Sequence, residues 1–103
     1  MGALRRPVIP AHCDHNAHMY YVLLAPGMDR DRFIDRVASA DVNVVFHYVP
    51  LHSSPAGRRY GRTHGSLDVT DGVSERLVRL PLWIGMDDST VDRVVSAVQD
   101  ALS

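Results

Sequence analysis

Three short apolar segments along the chain predict β-strands. Residues 17–24 are too apolar for simple alternation, which predicts a strand covered on both faces. Residues 44–48 are β-branched and aromatic, as strands favour. Residues 80–84 predict a short edge strand, because Pro81 cannot donate a backbone hydrogen bond to a neighbouring strand. The chain therefore contains enough strand for one small sheet.

Three segments with helical periodicity lie between and after these strands. Asp29 is a suitable N-cap for a helix that extends to about Ala40, a second helix starts near residues 70–71, and Asp88 or Ser89 caps the last helix. Each helix has one apolar face, so each is expected to pack on the sheet. The predicted apolar faces consist, in chain order, of Phe33, Ile34, Val37 and Ala38; of Val73 and Leu77; and of Val91, Val94, Val95, Val98, Ala101 and Leu102.

The order of the predicted elements is strand, helix, strand, long loop, helix, strand, helix. This order indicates one α+β domain with a small antiparallel or mixed sheet and helices mainly on one face. Residues 17–103 are predicted to form this domain, whereas residues 1–16, which contain two prolines, are predicted to form an extended N-terminal arm. The second sheet face has no predicted cover, which favours a partner domain or self-association through that face.

Composition excludes several classes of function. The formal net charge of −1 gives no long-range field for nucleic acid or an anionic membrane, and no apolar segment approaches the roughly 20 residues that a membrane span needs. A single cysteine excludes an intramolecular disulfide framework, so a cytoplasmic location is expected. All eleven basic residues are arginine. Chemistry that requires a lysine amine therefore cannot be carried out by this chain alone.

The end of the second predicted strand and the segment after it are rich in groups that bind polar ligands. They contain the imidazoles of His47 and His52, the phenol of Tyr48 and two serine hydroxyls, and Pro50 and Pro55 bracket a segment that can be neither a helix nor a central strand. Mounted at a rigid strand end, this segment is a candidate ligand loop. A proline-stiffened surface loop with incidental polar residues is the alternative. Arg58 and Arg59 then form a short basic cluster that suits a solvated loop or a phosphate contact.

A second cluster of potential ligands lies near the N-terminus. His12, Cys13, His15 and His18 offer thiolate and imidazole groups, which are the ligands that zinc prefers. Their spacing matches none of the two-plus-two zinc motifs. A metal-binding domain built on these four residues is therefore one hypothesis, and hydrogen-bonding loop residues are the alternative.

Three motifs resemble, in the same order, the C-terminal part of a known enzyme family. They are HNAHMYY at residues 15–21, VFHYVPLHSSPAG at 45–57 and SERLVRLPL at 74–82. This set is similar to the DegT/DnrJ/StrS sugar aminotransferases, and within them most similar to the dTDP-4-amino-4,6-dideoxygalactose transaminases. The three motifs together cover nearly the whole chain.

The resemblance implies the small domain of a fold type I enzyme that depends on pyridoxal phosphate. It also implies a reaction, the glutamate-dependent amination of a dTDP-4-keto-6-deoxyhexose. In such enzymes the loop that matches His47, Tyr48 and His52 helps to hold the sugar nucleotide, so these three residues are predicted substrate contacts. Arg58 and Arg59 are predicted to contact a phosphate or a carboxylate.

One departure from the family changes the predicted function. The family enzymes hold pyridoxal phosphate through a lysine of a large domain, whereas this sequence contains no lysine and lacks the length for that domain. We therefore expect no cofactor in this chain and no catalysis by this chain alone. Three arrangements follow: a domain or fragment of a larger enzyme, a half that complements a separate large domain, or a stand-alone module that binds sugar nucleotides.

Overall fold

A four-stranded antiparallel sheet forms the centre of the structure. A computed structural model describes residues 2–103 of the chain, and within them the strands are β1 (Leu4–Arg5), β2 (Tyr20–Leu24), β3 (Val45–Phe46) and β4 (Leu77–Leu80). The helices are α1 (Arg30–Ala38), α2 (Pro55–Tyr60), α3 (Asp68–Arg76) and α4 (Asp88–Ala101), and a 3-10 turn covers Leu51–Ser53. In this described part, no helix is both long and apolar enough to cross a membrane.

The strands are arranged in the order β1, β2, β4, β3, and every neighbouring pair is antiparallel. Val78 of β4 lies opposite Val22 on one side and opposite Phe46 on the other. The predicted strand-helix-strand unit is present as β2, α1 and β3, but its two strands do not pair because β4 lies between them. The N-terminal segment contributes β1, whose Leu4 pairs with Leu24.

The hydrophobic core lies between one face of the sheet and the helices α1 and α4. Strand alternation directs Val22, Leu24 and Val78 to this face. The helices supply Phe33, Val37, Val94, Ala97, Val98 and Ala101 to the same buried cluster. The predicted α+β fold, with a small antiparallel sheet and helices mainly on one face, is therefore confirmed.

Local capping explains where the two core helices begin. The Asp29 side chain accepts a hydrogen bond from the Arg32 backbone N–H at 3.0 Å, as the sequence predicted. Helix α4 is capped by Asp87, which accepts from the Thr90 N–H at 2.9 Å, and not by Asp88 or Ser89. The predicted apolar stripe of α4 is also too wide, since Val91 and Val95 are exposed.

Two further predictions about the second half of the chain are wrong. The last strand covers 77–80 and not 80–84, because the chain leaves α3 directly into extended backbone at Leu77 and the ladder stops before Pro81. The segment 51–71, predicted as an irregular loop, contains α2 and the start of α3. The signal for α2 was present: Ser54 caps the helix by accepting from the Gly57 N–H, and Pro55 occupies its first turn.

The second face of the sheet is partly covered, which corrects the prediction of a bare face. It carries Tyr21, Leu23, Leu77 and Arg79, by the alternation of the strands. Leu23 is only 5% exposed, and α3 contacts β2 at this end of the sheet. The Arg76 guanidinium fastens α3 there by donating from Nη1 to the Leu24 carbonyl at 2.7 Å. The Arg79 end of the face remains more open.

Candidate functional site

The loop that follows β3 begins with an unusual backbone conformation. Tyr48 has φ of 54°, in the left-handed region that non-glycine residues rarely adopt. Pro50 then resumes an extended backbone with φ of −55° and ψ of 138°, and leads into the 3-10 turn. Tyr48 is 69% exposed. The loop therefore turns away from the sheet at a residue whose aromatic ring faces solvent.

Two side chains lie next to the Tyr48 ring. The ring of His47 lies at a centroid distance of 5.3 Å, tilted by 59°. The Arg79 guanidinium carbon lies 5.4 Å from the Tyr48 ring centroid, within the range of a cation–π contact. Nδ1 of His47 is buried and has no hydrogen-bond partner within residues 2–103. Buried polar atoms normally have a partner, so this nitrogen is one of the polar atoms near the site that the described residues leave unsatisfied.

Tyr48 lines two open cavities. One, of about 360 Å³, is lined also by Arg30, Phe46, Arg58 and Glu75, among others. The other, of about 460 Å³, is lined also by His47 and by residues of α3 and β4. Both volumes lie in the range of small-ligand sites. The mixture of cations, carboxylates and aromatic edges in the first cavity can bind a polar ligand that carries hydroxyl and anionic groups.

Arg30 is a residue of this site that the sequence did not reveal. Its Nη1 donates to the Ser74 carbonyl of α3 at 2.6 Å, and its guanidinium carbon lies 5.0 Å from the Phe46 ring centroid. It thereby joins the start of α1 to β3 and α3 at one wall of the cavity. The two bonded residues are 44 positions apart, so no local spacing could have indicated the contact.

His52 has a partner within the protein. Its Nε2 lies 2.7 Å from Oδ1 of Asp71, at the middle of α3. The ring also lines a third cavity of about 790 Å³, together with Arg58 and Tyr60 of α2. His52 therefore lines a different cavity from His47 and Tyr48, and one of its ring nitrogens is already bonded.

The two arginines of α2 differ in their surroundings. Arg58 lines both the 360 Å³ cavity and the 790 Å³ cavity, so it shares one with Tyr48 and the other with His52. The guanidinium carbon of Arg59 lies 5.2 Å from the ring centroid of Tyr60, its own neighbour. Of the two, Arg58 is the one that the fold brings to the other predicted contacts.

The four side chains of the histidine and cysteine cluster are not grouped together in the described part of the chain. His12, Cys13, His15 and His18 are all exposed. Among residues 2–103, no three His, Cys, Asp or Glu side chains come together in a group that could hold a metal ion. The metal-binding hypothesis therefore gains no support from the structure.

Sequence comparisons identify relatives of the whole chain. A sequence model of the DegT/DnrJ/EryC1/StrS aminotransferase family matches residues 2–99. Uncharacterized protein MJ1066 of Methanocaldococcus jannaschii is 31% identical and aligns with 100% of the chain. The dTDP-3-amino-3,4,6-trideoxy-alpha-D-glucose transaminase of Micromonospora megalomicea is 28% identical over 92% of the chain. The UDP-4-amino-4-deoxy-L-arabinose–oxoglutarate aminotransferase of Shewanella sediminis is 30% identical over 86%.

Solved structures show the same relationship. The aminotransferase TlmJ from Streptoalloteichus hindustanus superposes with a TM-score of 0.82 at 30% identity, over 97% of this chain and 26% of its own. DesV from S. venezuelae superposes with a TM-score of 0.83 at 23% identity, which shows a shared fold, over 98% of this chain and 27% of its own. The chain spans about a quarter of the length of its relatives. It belongs to the DegT/DnrJ/EryC1/StrS aminotransferase family and matches the C-terminal part of its members.

Proposed function

We propose that the chain is the small C-terminal domain of a sugar-nucleotide aminotransferase. In this proposal residues 17–103 constitute the domain and residues 1–16 an N-terminal arm, whose residues Leu4–Arg5 add strand β1 to the sheet of the domain. The observation that carries the proposal is the family match over residues 2–99, joined to the 30% identity and TM-score of 0.82 with TlmJ. The reaction is the glutamate-dependent amination of a dTDP-4-keto-6-deoxyhexose in the cytoplasm, as in the dTDP-4-amino-4,6-dideoxygalactose transaminases that the three motifs resemble.

The choice of sugar rests on those motifs, because the relatives differ in substrate. One relative is named for a dTDP-3-amino sugar and another for a UDP-4-amino sugar. The base, the sugar and the aminated carbon therefore vary within the family. A panel of keto sugars on dTDP and UDP carriers, assayed for glutamate-dependent amination, distinguishes these possibilities.

Within this function, the loop after β3 contributes contacts to the sugar nucleotide. Tyr48 is exposed and lines two cavities, and His47 offers a buried Nδ1 without a partner in the described part of the chain. Arg58 adds a cation to the lining of the 360 Å³ cavity, where it can contact a phosphate. His52 and Arg59 are the weaker of the five predicted contacts, because Asp71 and Tyr60 respectively engage them.

The residues of this chain do not fit the role of cofactor holder. Pyridoxal phosphate, when bound in an aminotransferase, supplies the group that carries the amino function from donor to acceptor. An enzyme holds it covalently through a lysine, and this chain contains none. Catalysis therefore requires a larger domain outside this chain, which is also its proposed partner.

The size of the native gene product tests this arrangement. An immunoblot of the source cells, with an antibody raised to this chain, is expected to show a band several times heavier than 11.4 kDa. A band at the mass of the chain alone would contradict the covalently joined enzyme. The purified small form would then distinguish the two other arrangements. A form that binds a large domain would be a half that acts in trans, and a form that binds only sugar nucleotides would be a stand-alone module.

Ligand binding tests the loop itself. Titration of the chain with dTDP-glucose by calorimetry is expected to give a Kd that rises about fivefold in His47→Ala, the equivalent of one lost hydrogen bond. His64→Ala is the matched control, because it removes an exposed imidazole from a different loop. Equal affinities of the two variants would remove His47 from the site, and absence of heat at millimolar ligand would remove the binding role of the chain alone.

A further inference from the structure

Tyr48 has a left-handed backbone conformation although its side chain is exposed. A left-handed conformation costs an L-residue free energy, because its Cβ approaches the following carbonyl oxygen. Strained residues persist where the surroundings hold them, and they occur often at ligand sites. Tyr48 is 69% exposed, so burial of its ring in the core does not hold it in place.

The conformation also changes the side of the sheet that the Tyr48 ring reaches. Phe46 lies opposite Val78 on the face that carries the core helices, and Val45 lies opposite Arg79 on the other face. Continued alternation would place the side chain of residue 48 on the Phe46 side. The ring instead lies 5.4 Å from the Arg79 guanidinium carbon. The left-handed turn therefore brings Tyr48 into contact with a residue of the opposite face.

Arg79 has few other interactions that could account for its position. Within residues 2–103, no carboxylate lies within 4.0 Å of its guanidinium, and its Nε is buried without a hydrogen-bond partner. It projects from β4, which, like β2, pairs with a neighbouring strand on both sides. The Arg79 guanidinium therefore lies over the face of the Tyr48 ring, which belongs to a loop with a strained backbone.

We propose that Arg79 is a positioning residue for Tyr48. The guanidinium attracts the ring through a cation–π contact and so fixes the orientation of Tyr48, which lines both cavities. This inference rests on the proposed function, since the phenol is fixed for contact with the sugar nucleotide. Arg79 acts through Tyr48. Its charge supplies the attraction to the ring, and its position on β4 places that charge beside the ring.

The test uses the 103-residue chain labelled with ¹³C in its tyrosine rings. The Tyr48 ring signal is assigned by its loss in Tyr48→Phe. Arg79→Met removes the cation and retains an unbranched apolar side chain, Arg79→Lys retains the cation, and Arg32→Met is the matched control because Arg32 is an exposed arginine on α1. Each variant is titrated with dTDP-glucose, and thermal unfolding confirms that each is folded.

We expect Arg79→Met to move the Tyr48 signal and to weaken dTDP-glucose binding roughly two- to fivefold, as the loss of an exposed cation–π contact predicts. Arg79→Lys should restore part of both effects, and Arg32→Met should show neither. An unmoved Tyr48 signal in folded Arg79→Met would overturn the positioning role. A moved signal with unchanged affinity, in a chain whose affinity does fall in Tyr48→Phe, would overturn it as well.

The two proposals fail in distinguishable ways. If the wild-type chain does not respond to dTDP-glucose at all, the binding role proposed for the loop of this chain fails, whatever the ring signal does. If the wild-type chain binds and Arg79→Met binds equally well, the binding role of the loop stands and the positioning role of Arg79 fails.

Discussion

Nε2 of His52 lies 2.7 Å from Oδ1 of Asp71 and joins the 3-10 turn to α3 across 19 residues of sequence. The His52 side chain is 19% exposed and that of Asp71 is 46% exposed. Solvent at the carboxylate limits the strength of the pair. Its consequence is mainly structural, because it fixes the far end of the ligand loop to a helix that packs beside the sheet.

The His52–Asp71 contact is expected to stabilise the fold modestly. His52→Ala and Asp71→Ala should each lower the free energy of unfolding in urea by about 1 kcal/mol, and the double variant should cost little more than either single one. His64→Ala should change it by less than about 0.5 kcal/mol, as exposed positions do. Full additivity of the two single variants would show that the pair contributes nothing.

At Gly57, the backbone of α2 lies close to the backbone of the 3-10 turn. A Cβ at this position would lie 1.7 Å from the carbonyl oxygen of Leu51, an atom of the 3-10 turn that has no flexible side chain to move. Gly57→Ala should therefore lower the free energy of unfolding by about 1–3 kcal/mol, as overpacking does.

Gly72 provides the matched control for the Gly57 prediction. It lies inside α3, and a Cβ added there would meet no atom within 4 Å outside its own helical turn. Gly72→Ala should therefore raise the free energy of unfolding by about 0.5–1 kcal/mol through helix propensity. Urea denaturation measures both variants. Equal effects of the same sign would contradict the packing of α2 against the 3-10 turn.

The strain at Tyr48 predicts an inverted preference between alanine and glycine. Both Tyr48→Ala and Tyr48→Gly lose the ring, but only glycine adopts a φ of 54° at no steric cost. Tyr48→Gly should therefore be the more stable by about 1 kcal/mol in urea unfolding. At Val45, in an ordinary strand, alanine should be the more stable of the same pair by about 0.5–1 kcal/mol. If the alanine variant were more stable than the glycine variant at both positions, Tyr48 would be unstrained.

The N-cap of α4 predicts a pH dependence of stability. Hydrogen bonds from Thr90, and then from Ser89, hold the pKa of Asp87 below its ordinary value of 3.8. A folded pKa below the unfolded value means that this carboxylate stabilises the fold above pH 3.8 and that the contribution is lost as the pH falls through the folded pKa.

Asp87→Asn isolates that contribution, because the amide oxygen still caps the helix and does not titrate in this range. The difference in unfolding free energy between the wild type and Asp87→Asn should shrink as the pH is lowered from about 5 to about 3. Thermal unfolding across this range measures it. A difference that stays constant would place the pKa of Asp87 at the same value in the folded and unfolded chain.

The core helices and the general fold class were predictable because they depend on local features. The cap at Asp29 and the spacing of Phe33 and Val37 specify α1 within a few residues of chain, and the valines and alanines of α4 do the same. The three motifs likewise indicated the family that the comparisons show. The helix within 51–71 was missed because Ser54, Pro55 and Gly57 encode a helix of 6 residues, which is too short to show a helical periodicity.

The site depended on contacts between residues that are distant in sequence. His47, Tyr48 and Arg58 belong to a loop whose polar content marked it as a ligand segment, and that much the amino-acid sequence determined by itself. Only the tertiary structure placed β4 between β2 and β3, and with it Arg79 against the Tyr48 ring. Strand order depends on which apolar faces can be buried together, and the left-handed conformation of Tyr48 depends on the surroundings that hold it. Neither leaves a pattern among residues that are neighbours in sequence.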